Sequence, residues 1–332
     1  MNTYPKKRNI AVVIAGLLAG MILASAVFVF GYLYFVIGLR TFHKTGSIPI
    51  ETGLENLDVP PNMSKGMNIP VRQEGHLKNF LIIGSDTRNP DTHGRSDAMM
   101  LVTVNTKTKK IHVTSLMRAI YVSIPQDPDP QYAKNWTSQY MLNAAHTWGG
   151  PRLLLKTVQR NFRVDVSQYI ATDFSGFKGV IDKVGGVPIN LTAAEAKYLN
   201  KLLGGKSLTA GEQLLDGETA LHYARIRKLD SDFKRMERQR NVIIALFKKI
   251  GSCSTKKMSA TAESLMPFVT TNISDIDFMS LIFDFITYRH YEIDQMMLPL
   301  ETYKAKVVIR GMEMYDIDWK ENIGALHKFM ES

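Results

Sequence analysis

KNFLIIG, residues 78–84, decides the fold. Its apolar residues run consecutively, without helical spacing, and Gly84 closes the run. A short unbroken run of this kind reads as a strand buried on both faces. Working outward, Ala98–Val104 and Lys110–Leu116 read as a hairpin around Asn105–Lys109. Pro151–Phe162 reads as a helix with Pro151 in its first turn. Gln168–Phe174 reads as a short strand, followed by a helix to Val184 that stops at Gly185-Gly186. Pro188–Leu191 is extended, and Gly211–Ala224 is predicted as one helix. Ser231–Ile250 carries the clearest helical signal. Ser231 or Asp232 caps it, Met236, Ile243, Leu246, Phe247 and Ile250 form one apolar stripe, and Gly251 ends it. Residues 275–288 are predicted helical, 291–310 strand and 318–330 helical. Strands and helices alternate without a second linker, so residues 77–332 are read as one α/β domain.

The segment before this domain has a different character. Ile10 to Leu39 holds no charged residue. At about 1.5 Å per residue this run exceeds a hydrocarbon core of roughly 30 Å, and it is too long for the apolar part of a cleavable signal. Residues 10–39 are therefore predicted as a single transmembrane helix, an uncleaved signal-anchor. Gly16, Gly20 and Ala24 lie four apart, a spacing that lets two helices pack closely, although small residues are common in such spans. Lys6, Lys7 and Arg8 precede the span, while Arg40 and Lys44 follow it. The bias in basic residues gives residues 1–9 as a cytoplasmic tail and puts the bulk of the chain outside. Residues 40–76, punctuated by Pro49, Pro60, Pro61 and Pro70, are predicted as an extracytoplasmic stalk.

The chain has 332 residues and a net charge of +10, of which residues 1–40 hold +4, leaving +6. That excess fits local anionic ligands better than a nucleic-acid-coating surface. One cysteine, Cys253, excludes an intramolecular disulfide framework and a cysteine-cluster zinc site. The histidines show no metalloprotease spacing, and His146 and His222 read as packing or hydrogen-bonding residues.

Four clusters carry the chemistry. Gly84-Ser85-Asp86-Thr87-Arg88 lies at the end of the decisive strand, where α/β folds open into ligand crevices. Gly94-Arg95-Ser96-Asp97 precedes the next strand. Asp86 and Asp97 together suit one Mg²⁺, which takes one or two carboxylates plus water and phosphate oxygens, though each also fits an ordinary turn carboxylate. Arg118 ends the third strand. Arg225 and Arg227 run into the start of the long helix, where Asp232, Arg235 and Gln239 share one side. A helix N-terminus flanked by arginines favours a phosphorylated anion. The apolar run over 264–300 reads mostly as core, with some residues available to line a lipid channel.

Seven stretches in order make the resemblance specific: FLIIGSDTR (80–88), GRSDAMMLVTVN (94–105), TSLMR (114–118), NAAHTWGG (143–150), DFSGFKGVIDKVGGVPI (173–189), LDGETALHYARIR (215–227) and DSDFKRMERQ (230–239). In these the chain resembles the LytR–CpsA–Psr family of bacterial envelope proteins, from about Asn79 to Arg240 and more loosely to the C-terminus. The resemblance implies a mixed central β-sheet between helices with an apolar pocket for a polyprenyl tail. It implies a membrane-anchored phosphotransferase that moves a glycopolymer, such as teichoic acid or capsule, from an undecaprenyl-pyrophosphate carrier to peptidoglycan. It further implies magnesium, with manganese as the alternative, at Asp86 and Asp97. Arg88, Arg95, Arg118, Arg225, Arg227, Arg235 and Gln239 would bind the pyrophosphate, with Arg118, Asp97 and Asp232 carrying the chemistry. The location it implies is the cell membrane of a bacterium with a thick peptidoglycan wall, with the domain outside. No nucleic-acid partner is expected, because no helix-turn-helix with a basic recognition helix is present.

Two positions depart from the family pattern. Ala119 stands where members usually have Asp, and Met141 where many have Lys. A carboxylate beside Arg118 would orient its guanidinium. Its loss leaves, as the alternative, a polyprenyl-pyrophosphate-binding member with weak or no turnover.

Overall fold

The computed structural model describes residues 69–87 and 92–332. The predicted tail, the predicted transmembrane helix, nearly all of the stalk, and Arg88 lie outside them. Among the described residues no helix is long and apolar enough to cross a membrane.

The first elements among the described residues are three antiparallel strands, β1 (Leu77–Ser85), β2 (Ser96–Asn105) and β3 (Lys110–Leu116). A small hairpin, β4 (Tyr121–Ser123) and β5 (Gln139–Met141), leads into α1 (Leu142–Phe162). Next come β6 (Gln168–Thr172), α2 (Phe174–Lys183), β7 (Val187–Leu191), α3 (Ala193–Leu203), β8 (Gly211–Leu215) and α4 (Gly217–Ala224). The long helix α5 (Asp232–Gly251) is followed by α6 (Thr255–Leu265), β9 (Thr270–Thr271), α7 (Asp275–Tyr288) and β10 (Glu292–Leu298). A hairpin of β11 (Lys304–Ile309) and β12 (Met312–Ile317) and a last helix, α8 (Trp319–Glu331), complete the chain.

The central sheet runs β10-β3-β2-β1-β6-β9. β6 is parallel to β1 and β10 is parallel to β3, so the sheet is mixed. β1 sits inside it with helices on both faces. Leu81 and Ile83, both 0% exposed, join the core that holds Leu154 and Val158 of α1 and Ile323 and Leu326 of α8. Phe80 joins the other core, against which Ile243 and Phe247 of α5 and Phe278 of α7 pack. Burial on both sides explains why KNFLIIG does not alternate apolar and polar. A third cluster, including Ile181, Val187, Leu199, Leu215 and Tyr223, packs the β7–β8 hairpin against α2, α3 and α4.

Three sequence expectations change. Gly211–Ala224 is not one helix: Gly211 sits at φ 102°, β8 pairs with β7, and only then does Asp216 cap α4 by accepting the Thr219 N–H. Residues 291–310 are not one strand. β10 lies in the central sheet and stops at Leu298, because Pro299 has no N–H to continue a ladder, whereas β11 belongs to a separate hairpin. The helix predicted from Pro151 to Phe162 is present, but an unpredicted helical limb from Leu142 precedes it in α1; the backbone is non-helical at Gly149-Gly150, and Pro151 opens the predicted limb. Gly150, at φ 61°, lies where a side chain would meet the His93 ring.

Candidate functional site

The site forms where β1 and β2 end. Their ladder pairs Gly84 with Ala98 but Ser85 with Ser96, so Asp97 is an extra residue in the second strand. Such a bulge breaks the alternation of faces, and Asp97 and Ala98 both line one cavity as a result. Arg118, just beyond β3, fixes Asp97 by an Nη1–Oδ1 contact of 2.8 Å. Asp86 is built in from the other side. Its N–H donates to the Arg95 carbonyl at 3.0 Å, and its Oδ1 accepts the Arg95 N–H at 2.6 Å. The approach is close enough that a Cβ on Gly94 would lie 2.4 Å from the Thr87 nitrogen. Only glycine fits there.

Behind this loop stands His146, 3% exposed, with Nδ1 2.8 Å from the Gly94 carbonyl. Burial pushes its pKa down to about 4. The ring is therefore neutral at physiological pH, and the contact requires its Nδ1–H to donate. The expectation of a hydrogen-bonding histidine is met, and the group it holds adjoins the site.

The opposite wall comes from the segment between α4 and α5. Ile226 is 1% exposed, while Arg225 and Arg227 on either side are exposed. Arg225 sits 4.4 Å over the Phe174 ring. Arg238 ties the segment down: its Nε contacts Glu195 at 2.6 Å, its Nη1 contacts Asp230 at 3.0 Å, and its Nη2 also pairs with Asp230. Burial alone would lower the Arg238 pKa, but the hydrogen bonds to Asp230 and Glu195 outweigh it and raise the value. The sequence reading passed over Arg238. The available signal was Thr192-x-x-Glu195, a capping box whose glutamate is also the anchor for this arginine.

Arg235 is the unusual member. Its side chain is 3% exposed, and Nη1 lies 2.9 Å from Asp232 Oδ1. The angle makes no hydrogen bond there, however, and among the described residues Nε has no partner either. Burial, together with the charges of Arg227 and Arg118, lowers its pKa to about 10, against the pull of Asp232. A buried guanidinium left this poorly matched by its own protein is costly unless an anion completes it.

The cavity has a volume of about 460 Å³ and gathers Asp86, Arg95, Asp97, Arg118, Arg225, Arg227, Arg235 and Gln239. Its lining holds five Arg and three Asp, counting Asp173, so its formal charge is 5 − 3 = +2. Asp173 is occupied in capping α2. Asp232 is not among the lining residues; it stands at the rim, 44% exposed. Ala119 does not line the cavity, and its carbonyl accepts the Tyr315 N–H at 2.8 Å. Met141, half-buried, is the N-cap residue of α1.

Ile82, Thr172, Phe177 and Ile243 are shared with a second cavity of about 280 Å³ between α5, α6 and α7. Its lining is almost wholly apolar and includes Leu246, Phe247, Ile250, Leu281 and Phe285. Much of the apolar stripe read on α5 faces this space. The two cavities together form a cationic chamber opening into an apolar one.

Among the described residues no three His, Cys, Asp or Glu side chains converge as a metal cage. The chemistry of Asp86 and Asp97 fits a magnesium ion shared with a ligand's phosphates: two hard oxygen donors, each with one oxygen held in place and the other without a hydrogen bond among the described residues.

The LytR_cpsA_psr family model matches residues 56–328. The chain belongs to this family. Staphylococcus aureus MsrR, named a regulatory protein, is 34% identical over 212 residues, 63% of this chain and 60% of that protein. The teichoic acid transferase TagU of Oceanobacillus iheyensis, named for transfer from a polyisoprenyl carrier to peptidoglycan, is 34% identical over 200 residues, 60% of this chain and 59% of that protein. The match thus spans about three-fifths of the length of these relatives. The structure of TagT bound to LI-WTA superposes with a TM-score of 0.62 at 26% identity, covering 78% of this chain and 92% of the other. Bacillus subtilis TagV gives 0.60 at 25%, covering 78% and 99%. The mixed sheet flanked by helices is therefore the architecture of LytR_cpsA_psr structures.

Proposed function

We propose that this family member is a glycopolymer phosphotransferase acting on a polyprenyl-pyrophosphate-linked donor, with peptidoglycan as acceptor. The observation that carries the reading is Arg235: a buried guanidinium whose Nε and Nη1 make no hydrogen bond among the described residues, in a cationic cavity that adjoins an apolar one. A ligand with a diphosphate head and a long apolar tail satisfies both halves. The naming of TagU as a teichoic acid transferase supports teichoic acid or a similar polymer as cargo.

In this reading Arg118, Arg225, Arg227 and Arg235 hold the diphosphate, with Arg95 and Gln239 beside them, and Arg88 belongs to the same set. Asp86 and Asp97 would hold a magnesium ion, which supplies charge neutralisation at the phosphates when bound. An acceptor sugar hydroxyl attacks the phosphorus that carries the glycan, and a new P–O bond forms. The bond to the bridging diphosphate oxygen breaks, and polyprenyl phosphate leaves with the electron pair. The hydroxyl proton passes to a carboxylate at the cavity mouth, Asp97 or Asp232. The arginines oppose charge as it grows on the leaving phosphate. Residues 10–39 hold the chain in the membrane with the domain on its outer side.

The test is the full chain in detergent with a short-chain lipid-diphosphate sugar and Mg²⁺, following release of lipid phosphate. Turnover is expected, and Arg235→Gln should lower kcat/KM by roughly 10²-fold or more, the order seen when a charge-stabilising donor is removed. A second reading rests on Ala119, which presents no carboxylate beside Arg118: tight donor binding with little turnover. Release by the chain as it stands excludes that reading. Release only by Ala119→Asp establishes it. Neither release nor binding in either form refutes both.

A further inference from the structure

The apolar cavity has two ends. One meets the arginine chamber through Ile82 and Thr172, and the other is formed by Phe247, Ile250, Met258 and Phe285. At that far end the C-terminus of α5, the start of α6 and the C-terminus of α7 converge. Arg289 Nη1 donates to the Gly251 and Cys253 carbonyls at 3.4 and 3.1 Å, binding the three elements together. Phe247 and Phe285 meet edge-to-face at 4.6 Å just beneath.

The α5–α6 side of this apex is one-signed. From residue 239 to 262 there are five cationic residues and no Asp or Glu. Lys248 and Lys257 are exposed, Lys249 and Arg289 are half-buried, and His290 is exposed. None of these five makes an ion pair among the described residues, and Asp284 of α7, beside Phe283, is taken up by Lys78 of β1. On the outer face of α7, Phe283 stands 63% exposed. The α5–α6–α7 apex thus combines one end of the apolar cavity, an exposed aromatic ring and lysines without an acidic partner among the described residues.

We propose that this apex docks on an anionic lipid bilayer, with the lysines on the headgroups and Phe283 at the acyl boundary. Charge complementarity selects the occupant: clustered lysines beside exposed apolar side chains are attracted to anionic lipid surfaces, each by a term that salt screens. The docking sets the channel's far end against the acyl layer, so a polyprenyl tail enters from the membrane and threads toward the arginines. The threading rests on the proposed donor; the docking surface does not.

Cys253 is the chain's single cysteine and lies in the apex, so it serves as a reporter without further engineering. The full chain carrying a maleimide fluorophore on Cys253 is reconstituted in phosphatidylcholine vesicles with or without phosphatidylglycerol, each containing a brominated lipid that quenches on contact. Strong quenching is expected in anionic vesicles, weak quenching in neutral ones, and reversal by about 0.5 M salt. The triple variant Lys248→Glu, Lys249→Glu, Lys257→Glu should lose most of the quenching, with roughly a hundredfold weaker response to anionic lipid. The same variant should release lipid phosphate in detergent at the unmodified rate, which also verifies its fold. Equal quenching in neutral and anionic vesicles, or none in either, overturns the docking. Absence of lipid phosphate release by the unmodified chain would instead refute the proposed function and leave the quenching result standing.

Discussion

Arg238→Met isolates the strut that holds one wall of the site. Arg238 and Glu195 are 6% and 9% exposed at the side chain, and Asp230 is 29% exposed. Removing one partner of a buried pair leaves an uncompensated charge and costs about 3–5 kcal/mol. The lower end applies here, since Glu195 keeps its contacts with the Thr192 N–H and hydroxyl, both at 2.9 Å. For a domain of this size about 3 kcal/mol corresponds to a fall in Tm of roughly 6–12 °C. The assay is thermal unfolding by circular dichroism for Arg238→Met, Glu195→Gln and the double variant. The double variant should recover at least half of the loss, because no buried charge then stands alone. Donor affinity should remain impaired in it, since the segment bearing Arg225 and Arg227 has lost its tether. A Tm within 2 °C of the parent for Arg238→Met, or losses that simply add in the double variant, would show that the pair is not holding this wall.

Arg235→Gln should weaken binding of an inorganic pyrophosphate probe by at least tenfold in calorimetry while leaving Tm unchanged or raised, because it removes a buried charge opposed only by exposed Asp232 and left without hydrogen bonds at Nε and Nη1. The His146 pKa, about 4 in the fold against an ordinary value of 6.5, makes the unfolded chain the first to bind a proton as pH falls. Stability from this group is complete above about pH 6.5 and should drop by about 2 kcal/mol by pH 5, a loss that urea titration of the parent shows and His146→Gln largely lacks. Ala119→Asp should raise kcat for lipid phosphate release more than it changes donor Kd, because the new carboxylate would sit beside Arg118 and outside the cavity lining.

Much of the site was legible because its chemistry is concentrated in short runs. Asp86, Arg95 and Asp97 sit within a dozen residues at one strand end, and Arg225 to Gln239 flank one helix start. The apolar run of KNFLIIG announced a strand covered on both faces. Less legible were features set by distant partners. The strand Gly211–Leu215 looked helical in isolation because nothing local marks its pairing with Val187–Leu191. Helix α3 and β12 carried no expectation at all, although the Thr192–Glu195 capping box marks the start of α3. Arg238 reads like the other basic residues of its helix until Glu195, 43 positions away, is seen to meet it. The apolar chamber could be named only as an option, since a stripe that packs and a stripe that lines a channel have the same spacing.

The extra residue at Asp97 has a consequence for how this stretch can change in length. β1 ends at Ser85 and β2 starts at Ser96, so residues between Asp86 and Arg95 can be gained or lost while the Asp86–Arg95 contacts close the gap. From Ser96 onward every residue except Asp97 is counted against a partner in β1. Deleting one residue between Ser96 and Ala98 would remove the bulge and return the ladder to strict alternation. Length variation among related chains should therefore collect before Arg95 and stop abruptly after it.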